Sequence, residues 1–218
     1  LKFADGSRMR LSDIGIELFQ TDADEMIYGG GHGDIIHAGG GDDTVRAGHG
    51  DDMIIGGKGN DRLEGDQGDD TYVYNRGDGF DTIYDVAGND TIRFGVGICF
   101  DDLKFTYDKG DLLITLFNDP AQGIRIAYFF DGRNVFKIEK LQFADGSSFN
   151  LAESGLTFHQ SDAAEQSYGT AYDDVIYGNN GDDVIYAKGG SDIIIGGKGD
   201  DILHGDDPYN GEDGNDTY

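Results

Sequence analysis

Gly56-Gly57-Lys58-Gly59-Asn60-Asp61-Arg62-Leu63-Glu64 sets out a nine-residue pattern, G-G-x-G-x-D-x-U-x, in which U is a large apolar residue. The pattern returns at Gly196-Gly197-Lys198-Gly199-Asp200-Asp201-Ile202-Leu203-His204. Each position has its own physical task. The glycines permit a tight turn with positive φ and leave their carbonyl oxygens bare. The Asp adds a charged oxygen at the end of the turn, and U plugs a core. A turn of this kind offers hard oxygen donors, which suit Ca2+ far better than zinc or copper.

Working outward in that register, turns start at Gly29, Ala38, Ala47, Gly56, Gly65, Arg76 and Asp85. Their sixth-position acids are Asp34, Asp43, Asp52, Asp61, Asp70, Asp81 and Asp90, and their plugs are Ile36, Val45, Ile54, Leu63, Tyr72, Ile83 and Ile92. Tyr74 and Asn75 are two extra residues before Arg76. A second block starts turns at Gly169, Gly178, Ala187, Gly196 and Gly205. Its acids are Asp174, Asp183, Asp192, Asp201 and Asp216, and its plugs are Ile176, Ile185, Ile194, Leu203 and Tyr218. Gly169-Thr170-Ala171-Tyr172 lacks most of the glycines and reads as a degraded first turn.

A longer period lies over the short one. Leu1-Lys2-Phe3-Ala4-Asp5-Gly6-Ser7 recurs as Leu141-Gln142-Phe143-Ala144-Asp145-Gly146-Ser147, and Glu25, Tyr28 and Asp34 recur as Glu165, Tyr168 and Asp174. The chain thus reads as a piece of a tandem array. Its expected parts are the end of a preceding cap with a degenerate turn over 1–28, a first roll over 29–92, an antiparallel cap or linker over 93–168, and a second roll over 169–218.

Three extended residues and a six-residue turn per repeat predict an all-β fold. Two repeats make one coil, short strands stack as parallel sheets, and turns two repeats apart lie over one another. A cation fits between such turns. Its donors are the carboxylates named above and the carbonyls of Gly29, Gly39, Gly41, Gly48, Gly50, Gly56, Gly57, Gly59, Gly65 and Gly68 in the first block. In the second block the carbonyls belong to Gly178, Gly181, Gly190, Gly196, Gly197, Gly199 and Gly205. Stacked pairs number five and three, so about eight Ca2+ ions are expected. Facing carboxylates repel without a cation. The fifth-position acids Asp42, Asp51, Asp69, Asp182 and Asp200 are expected to face water.

Composition agrees. The 218 residues hold 43 acids against 16 bases, a net charge of −27, with 37 Gly and 2 Pro. Nothing here neutralises phosphates, so general nucleic-acid binding is excluded as an expectation. No run reaches the length of a membrane span, so membrane insertion is not expected. The single Cys99 forms no internal disulfide and is expected inside a strand. Without cations, self-repulsion should leave the chain largely unfolded.

Between the blocks, Leu103-Lys104-Phe105-Thr106-Tyr107, the turn Asp108-Lys109-Gly110-Asp111 and Leu112-Leu113-Ile114-Thr115-Leu116-Phe117 form a hairpin signature. Further strands are expected over 124–130 and 136–143, in an antiparallel sheet whose apolar face covers the end of the first roll. Asp119-Pro120 and Asp207-Pro208 read as turn starters. Arg76-Gly77-Asp78 reads as part of a turn rather than an adhesion tripeptide. His32, His37, His49, His159 and His204 lack metal spacing. Val175, Tyr177, Val184, Tyr186, Ile193, Ile195 and Ile202 should point outward, an apolar stripe suited to a partner or to strand propensity alone.

The nonapeptides resemble the RTX (repeats-in-toxin) calcium-binding family of secreted bacterial proteins. That resemblance implies right-handed parallel β-rolls with Ca2+ at the turns. It also implies export through a type I secretion channel and a chain that stays unfolded in the cytosol and folds in calcium outside. Asp90-Thr91-Ile92-Arg93-Phe94, Asp102-Leu103, Phe129-Phe130, Ile138-Glu139-Lys140-Leu141 and Phe143-Ala144-Asp145-Gly146 resemble the haemolysin-type calcium-binding-related domain, whose implied role is structural. Together they are similar to the repeat regions of large iron-regulated RTX exoproteins and adhesins. The expected function is a non-enzymatic, calcium-folded module and spacer, secreted or at the bacterial surface, whose partners are the rest of its parent protein and the secretion apparatus. The alternative is a module that recognises a host or cell-surface ligand; a second, implied by the resemblance to self-cleaving RTX exoproteins, is a fragment whose Asp119-Pro120 or Asp207-Pro208 bond is cut when calcium arrives.

Overall fold

The computed structural model describes residues 15–130, 138–206 and 214–218. Among them every regular element is a strand apart from one 3-10 turn, Phe100–Asp102. The first roll contains β1 (Glu17–Phe19), β2 (Met26–Tyr28), β3 (Ile35–Gly40), β4 (Thr44–His49), β5 (Met53–Lys58), β6 (Arg62–Gln67), β7 (Thr71–Tyr74), β8 (Phe80–Tyr84) and β9 (Thr91–Phe94). Odd strands stack in one sheet and even strands in another, all parallel. The register is one coil: Ile36 pairs with Ile54 and Ile54 with Tyr72. Tyr72 then pairs with Ile92, because Tyr74 and Asn75 lengthen that coil without breaking the ladder.

Strands β3 to β6 are six residues long, not three. The backbone stays paired through the second and third turn residues, as Gly39 with Gly57 and Gly40 with Lys58 show. Strands of that length need a kink, and Gly39 (φ 109°) and Gly57 (φ 93°) supply it. Asp66, Asn179 and Lys188 take the same position at φ of 82°, 75° and 80°. Alternation then sends one side chain in and the next out. Ile36, Val45, Ile54 and Ile92 are 0 % exposed, and Leu63, Tyr72 and Ile83 are also buried. Burying each such side chain contributes about 1.5–3 kcal/mol.

The middle segment joins the rolls rather than lying over one. It contains β10 (Leu103–Asp108), β11 (Asp111–Leu116), β12 (Asp119–Ile126), β13 (Lys140–Gln142) and β14 (Ser148–Asn150). The predicted hairpin forms, with Leu103 opposite Leu116, and β12 adds an antiparallel third strand. That meander does not lay its apolar face on the roll, as the sequence led us to expect. Its edge strand β12 pairs in parallel with β8, from Gly123–Phe80 to Ile126–Ile83. Hydrogen-bonding the open edge satisfies its backbone groups, which a covering face leaves unpaired. On the other sheet β13 pairs with β9, and β14 closes a hairpin on it.

The second roll contains β15 (Thr157–His159), β16 (Gln166–Tyr168), β17 (Val175–Asn180), β18 (Val184–Lys188), β19 (Ile193–Lys198) and β20 (Ile202–Asp206). Its parallel ladder starts at β15 and β16, ahead of Gly169. β10 meets β15 at Phe105–Phe158, so one ten-stranded sheet runs from β2 through the meander to β19. β16, β18 and β20 form a separate three-stranded sheet.

Smaller expectations divide. Asp119-Pro120 opens β12 directly after a two-residue turn, while Asp207-Pro208 and residues 136–137 lie outside the described residues. Asp78 is buried and accepts hydrogen bonds from the Asn75 backbone and side chain, so Arg76-Gly77-Asp78 is part of a turn. Cys99 is exposed and outside any strand; it caps the 3-10 turn, where its thiol meets Asp102 Oδ2. Tyr218 is 68 % exposed rather than a core plug, with no described strand over it, although its hydroxyl accepts the Gly205 N–H.

Candidate metal centre

The sixth-position aspartates form a continuous ladder along each turn edge. The Asp34 N–H donates to Asp52 Oδ1 at 2.7 Å, and Asp52 N–H to Asp70 Oδ1 at 2.7 Å. Asp70 N–H continues to Asp90 Oδ1 at 2.8 Å. On the opposite edge Asp43 donates to Asp61 (2.8 Å) and Asp61 to Asp81 (3.0 Å). The second roll repeats this with Asp174 to Asp192 (2.8 Å), Asp183 to Asp201 (3.0 Å) and Asp192 to Asp216 (3.0 Å). The eighteen-residue coil puts each Asp one strand spacing above the last, so one oxygen of every carboxylate is used within the fold.

The other oxygen is the informative one. Oδ2 of Asp43, Asp52, Asp61, Asp70, Asp183 and Asp192 is buried and has no hydrogen-bond partner. An unpaired buried carboxylate oxygen is among the costliest groups a fold can hold. The protonation equilibria record that cost. Burial pushes the carboxyls of Asp52, Asp90 and Asp174 up to about 7. It pushes those of Asp61, Asp70 and Asp192 up to about 6, and that of Asp81 up to about 8. Neighbouring aspartates add repulsion, as Asp70 and Asp34 do at Asp52. Asp43 and Asp183 are raised by the same burial.

Asp34 and Asp174 differ. Each uses both oxygens, Asp34 with Ile16 and Gly30 N–H, and Asp174 with Leu156 and Thr170 N–H. Asp201 and Asp216 are only half-buried.

The glycines line the same edges in two groups. Gly29, Gly56, Gly65, Gly178, Gly196 and Gly205 open their turns beside the carboxylate that closes them; a Cβ on Gly29 would stand 2.8 Å from Asp34 Oδ2. Gly39, Gly41, Gly48, Gly50, Gly57, Gly59, Gly68, Gly181, Gly190, Gly197 and Gly199 have positive φ. Several of these sit directly on a carbonyl of the coil below: Gly57 on Gly39, Gly59 on Gly41, Gly68 on Gly50 and Gly199 on Gly181. Backbone oxygens and unpartnered carboxylate oxygens therefore share each stack. A set of oxygens alone, without nitrogen or sulfur, fits a hard divalent cation such as Ca2+.

Some parts of the centre escape the nonapeptide reading. Fifth-position acids are exposed as expected, yet they form an outer ladder of opposite direction. Asp42 Oδ1 accepts from Asn60 N–H, Asp51 from Asp69, Asp69 from Asn89 and Asp182 from Asp200. Glu25 and Glu165 stand where an Asp is expected, donating N–H to Asp43 and Asp183. At the end of the first roll Glu139 Oε2 accepts the Asp90 N–H at 2.8 Å, ending the ladder with a residue from the middle segment. Asp85, which opens the last turn of that roll, brings a third carboxylate beside Asp70 and Asp90. The even placement of Glu25 and Glu165 relative to Asp34 and Asp174 was the available signal for the first two; Glu139 and Asp85 carry none in the repeat pattern.

Comparison with known proteins agrees with this centre. The RTX calcium-binding nonapeptide repeat matches residues 21–54, 28–63, 47–79, 77–98, 161–194, 168–203 and 186–218. The haemolysin-type calcium binding protein related domain matches residues 111–153. The iron-regulated protein FrpA of Neisseria meningitidis serogroup C is 34 % identical over 103 residues, covering 44 % of this chain and 9 % of that protein. The chain thus spans less than a tenth of that relative. The extracellular lipase LipA from Serratia marcescens aligns over 86 % of this chain and 28 % of its own, at 15 % identity and a TM-score of 0.23. With repeat matches over more than half of its length, stacked aspartates and all-oxygen turns, this chain belongs to the RTX family of calcium-binding nonapeptide repeats.

Proposed function

We propose that the chain is a non-enzymatic module that calcium folds, carried by a larger exported protein. The observation that supports this reading is the row of buried Asp Oδ2 atoms without a hydrogen-bond donor. A cation between stacked turns would satisfy those oxygens, cancel the repulsion along each ladder and lock coil to coil. No such site exists in an extended chain, so the binding energy is folding energy. Calcium is scarce in the cytosol and plentiful outside, so the chain crosses a type I secretion channel unfolded and folds on arrival. There it stiffens and spaces its parent protein. About eight ions fill the two rolls. Limited proteolysis tests this: rapid digestion in chelator and resistant fragments in millimolar Ca2+, with Mg2+ giving little protection. Equal digestion in all three would refute it.

A recognition role is the second reading. Ile193 and Ile195 are 43 % and 42 % exposed on β19, and Ile202 is 54 % exposed on β20 of the other sheet. The apolar pair on β19 suits a host or cell-surface partner. Binding to cells or arrayed glycans in Ca2+, abolished by Ile193→Lys with Ile195→Lys, would support it; unchanged binding would end it.

A further inference from the structure

Position one of the described turns is held by Gly, Ala, Arg or Gln, except in the last turn of the first roll, where it is Asp85. As the opening residue of its turn, Asp85 lies beside Asp90, which closes that turn, and beside Asp70 of the turn stacked on it. Ligand oxygens of the three lie within 4.8 Å of one another. Asp70, Asp85 and Asp90 are 1 %, 3 % and 1 % exposed. None of the ion pairs among the described residues reaches them. Asp70 Oδ2 is buried without a partner. Asp85 is held in place from behind: the Tyr72 hydroxyl donates to Asp85 Oδ2 at 2.6 Å and accepts the Gly65 N–H at 2.8 Å. Among the described residues no other stack gathers three carboxylates this closely: Asp78, buried in the turn that ends at Asp81, accepts from Asn75 instead, whereas here a third carboxylate stands in place of a glycine.

We propose that Asp85 is a third carboxylate ligand, so that Asp70, Asp85 and Asp90 form a cation site that fills before all others in the chain. The inference rests on the calcium reading of the rolls and deepens it. Affinity in oxygen-ligand sites rises with the number of charged ligands. Three carboxylates leave a divalent ion with one excess negative charge and match a trivalent one, so Tb3+ is held more tightly still. The site lies in the turn between β8 and β9, beside the Glu139 cap. The first ion therefore orders the coil that adjoins β12 and β13.

Calorimetric titration with Ca2+ against a competing chelator tests this on the whole chain. The wild type takes up one ion at a concentration about tenfold or more below the rest. Asp85→Asn keeps an acceptor for Tyr72 but removes the charge, and loses that early step while later steps and the final circular dichroism stay. Asp66→Asn removes an equal charge from an exposed neighbour and keeps the early step. An early step that survives Asp85→Asn, or is missing from the wild type, overturns the proposal. Should Asp85→Asn fail to fold at saturating Ca2+, Asp85→Gly restores the usual turn opener and reads the same loss. Terbium decides independently: the chain has no Trp, so sensitised emission comes from tyrosine, and Tyr72 touches the site. The first equivalent must light the emission in the wild type and not in Tyr72→Phe; a dark first equivalent overturns the proposal. Absence of any calcium-induced β-structure would instead refute the reading of the rolls, an outcome separate from losing the early step alone.

Discussion

In metal-free buffer, protons should do part of the work of calcium. The perturbation is acidification from about pH 7.5 to about pH 5.5 after exhaustive removal of divalent ions. Burial holds Asp52 at about 7 in the fold, against 3.8 for an ordinary Asp. The folded value is the higher one, so between those values the fold binds more protons than the unfolded chain. Its stability therefore rises as pH falls through that window, and is complete only below 3.8. Above about pH 7 the ionised Asp52 costs the fold about 4 kcal/mol, at about 1.4 kcal/mol for each pH unit between the two values. Asp81, Asp90 and Asp174, at about 8, 7 and 7, lie in the same direction. A cost of that size is already comparable with the net stability of an ordinary domain, about 5–15 kcal/mol, and the other groups act in the same direction. We expect coil in metal-free buffer at about pH 7.5 and growing β-structure towards about pH 5.5, by far-ultraviolet circular dichroism. With Ca2+ present the direction reverses, since protons compete with the ion for the same oxygens. A metal-free spectrum that stays coil at both pH values, or β at both, would refute the argument that desolvated carboxylates oppose folding.

Three substitutions probe other layers, each measured as thermal unfolding in saturating Ca2+. Gly57→Ala should destabilise by about 1–3 kcal/mol, since φ is 93° and the Gly39 carbonyl occupies the space of a Cβ; Gly31→Ala, with nothing within 4 Å, should be close to neutral. Ile54→Ala should cost about 2–5 kcal/mol, because Ile54 is 0 % exposed between two stacked neighbours. Glu139→Ala leaves the buried Asp90 N–H without its acceptor and should cost about 1–3 kcal/mol. Equal melting of Gly57→Ala and Gly31→Ala, or a Glu139→Ala protein as stable as the wild type, would contradict the corresponding contact.

Local chemistry was legible in the sequence; the joints were not. A repeat such as Gly56 to Glu64 states its turn, its acid and its plug within nine residues, so the coil, the core and the Asp ladder follow from it. The hairpin Leu103–Leu116 is equally local. By contrast the β12–β8 pairing links Gly123 to Phe80, and nothing in either segment names its partner. Asp85 reads only as the start of a turn, and stacking on the turn that opens at Gly65 is what brings it to Asp70 and Asp90. Glu139 looks like an exposed charge in a strand until its carboxylate is seen ending the ladder at Asp90. Strand length was underestimated because paired residues such as Gly39 and Gly57 have a turn composition and still hydrogen-bond as strand.

Circular dichroism of the chain at neutral pH, first after exhaustive chelation and then through a Ca2+ titration, tests most directly whether cations hold these coils together. The account predicts coil in chelator and a cooperative rise of β-structure near about 10⁻⁴–10⁻³ M Ca2+, the range of extracellular modules. A chelated chain already as ordered as the calcium-loaded one would contradict it.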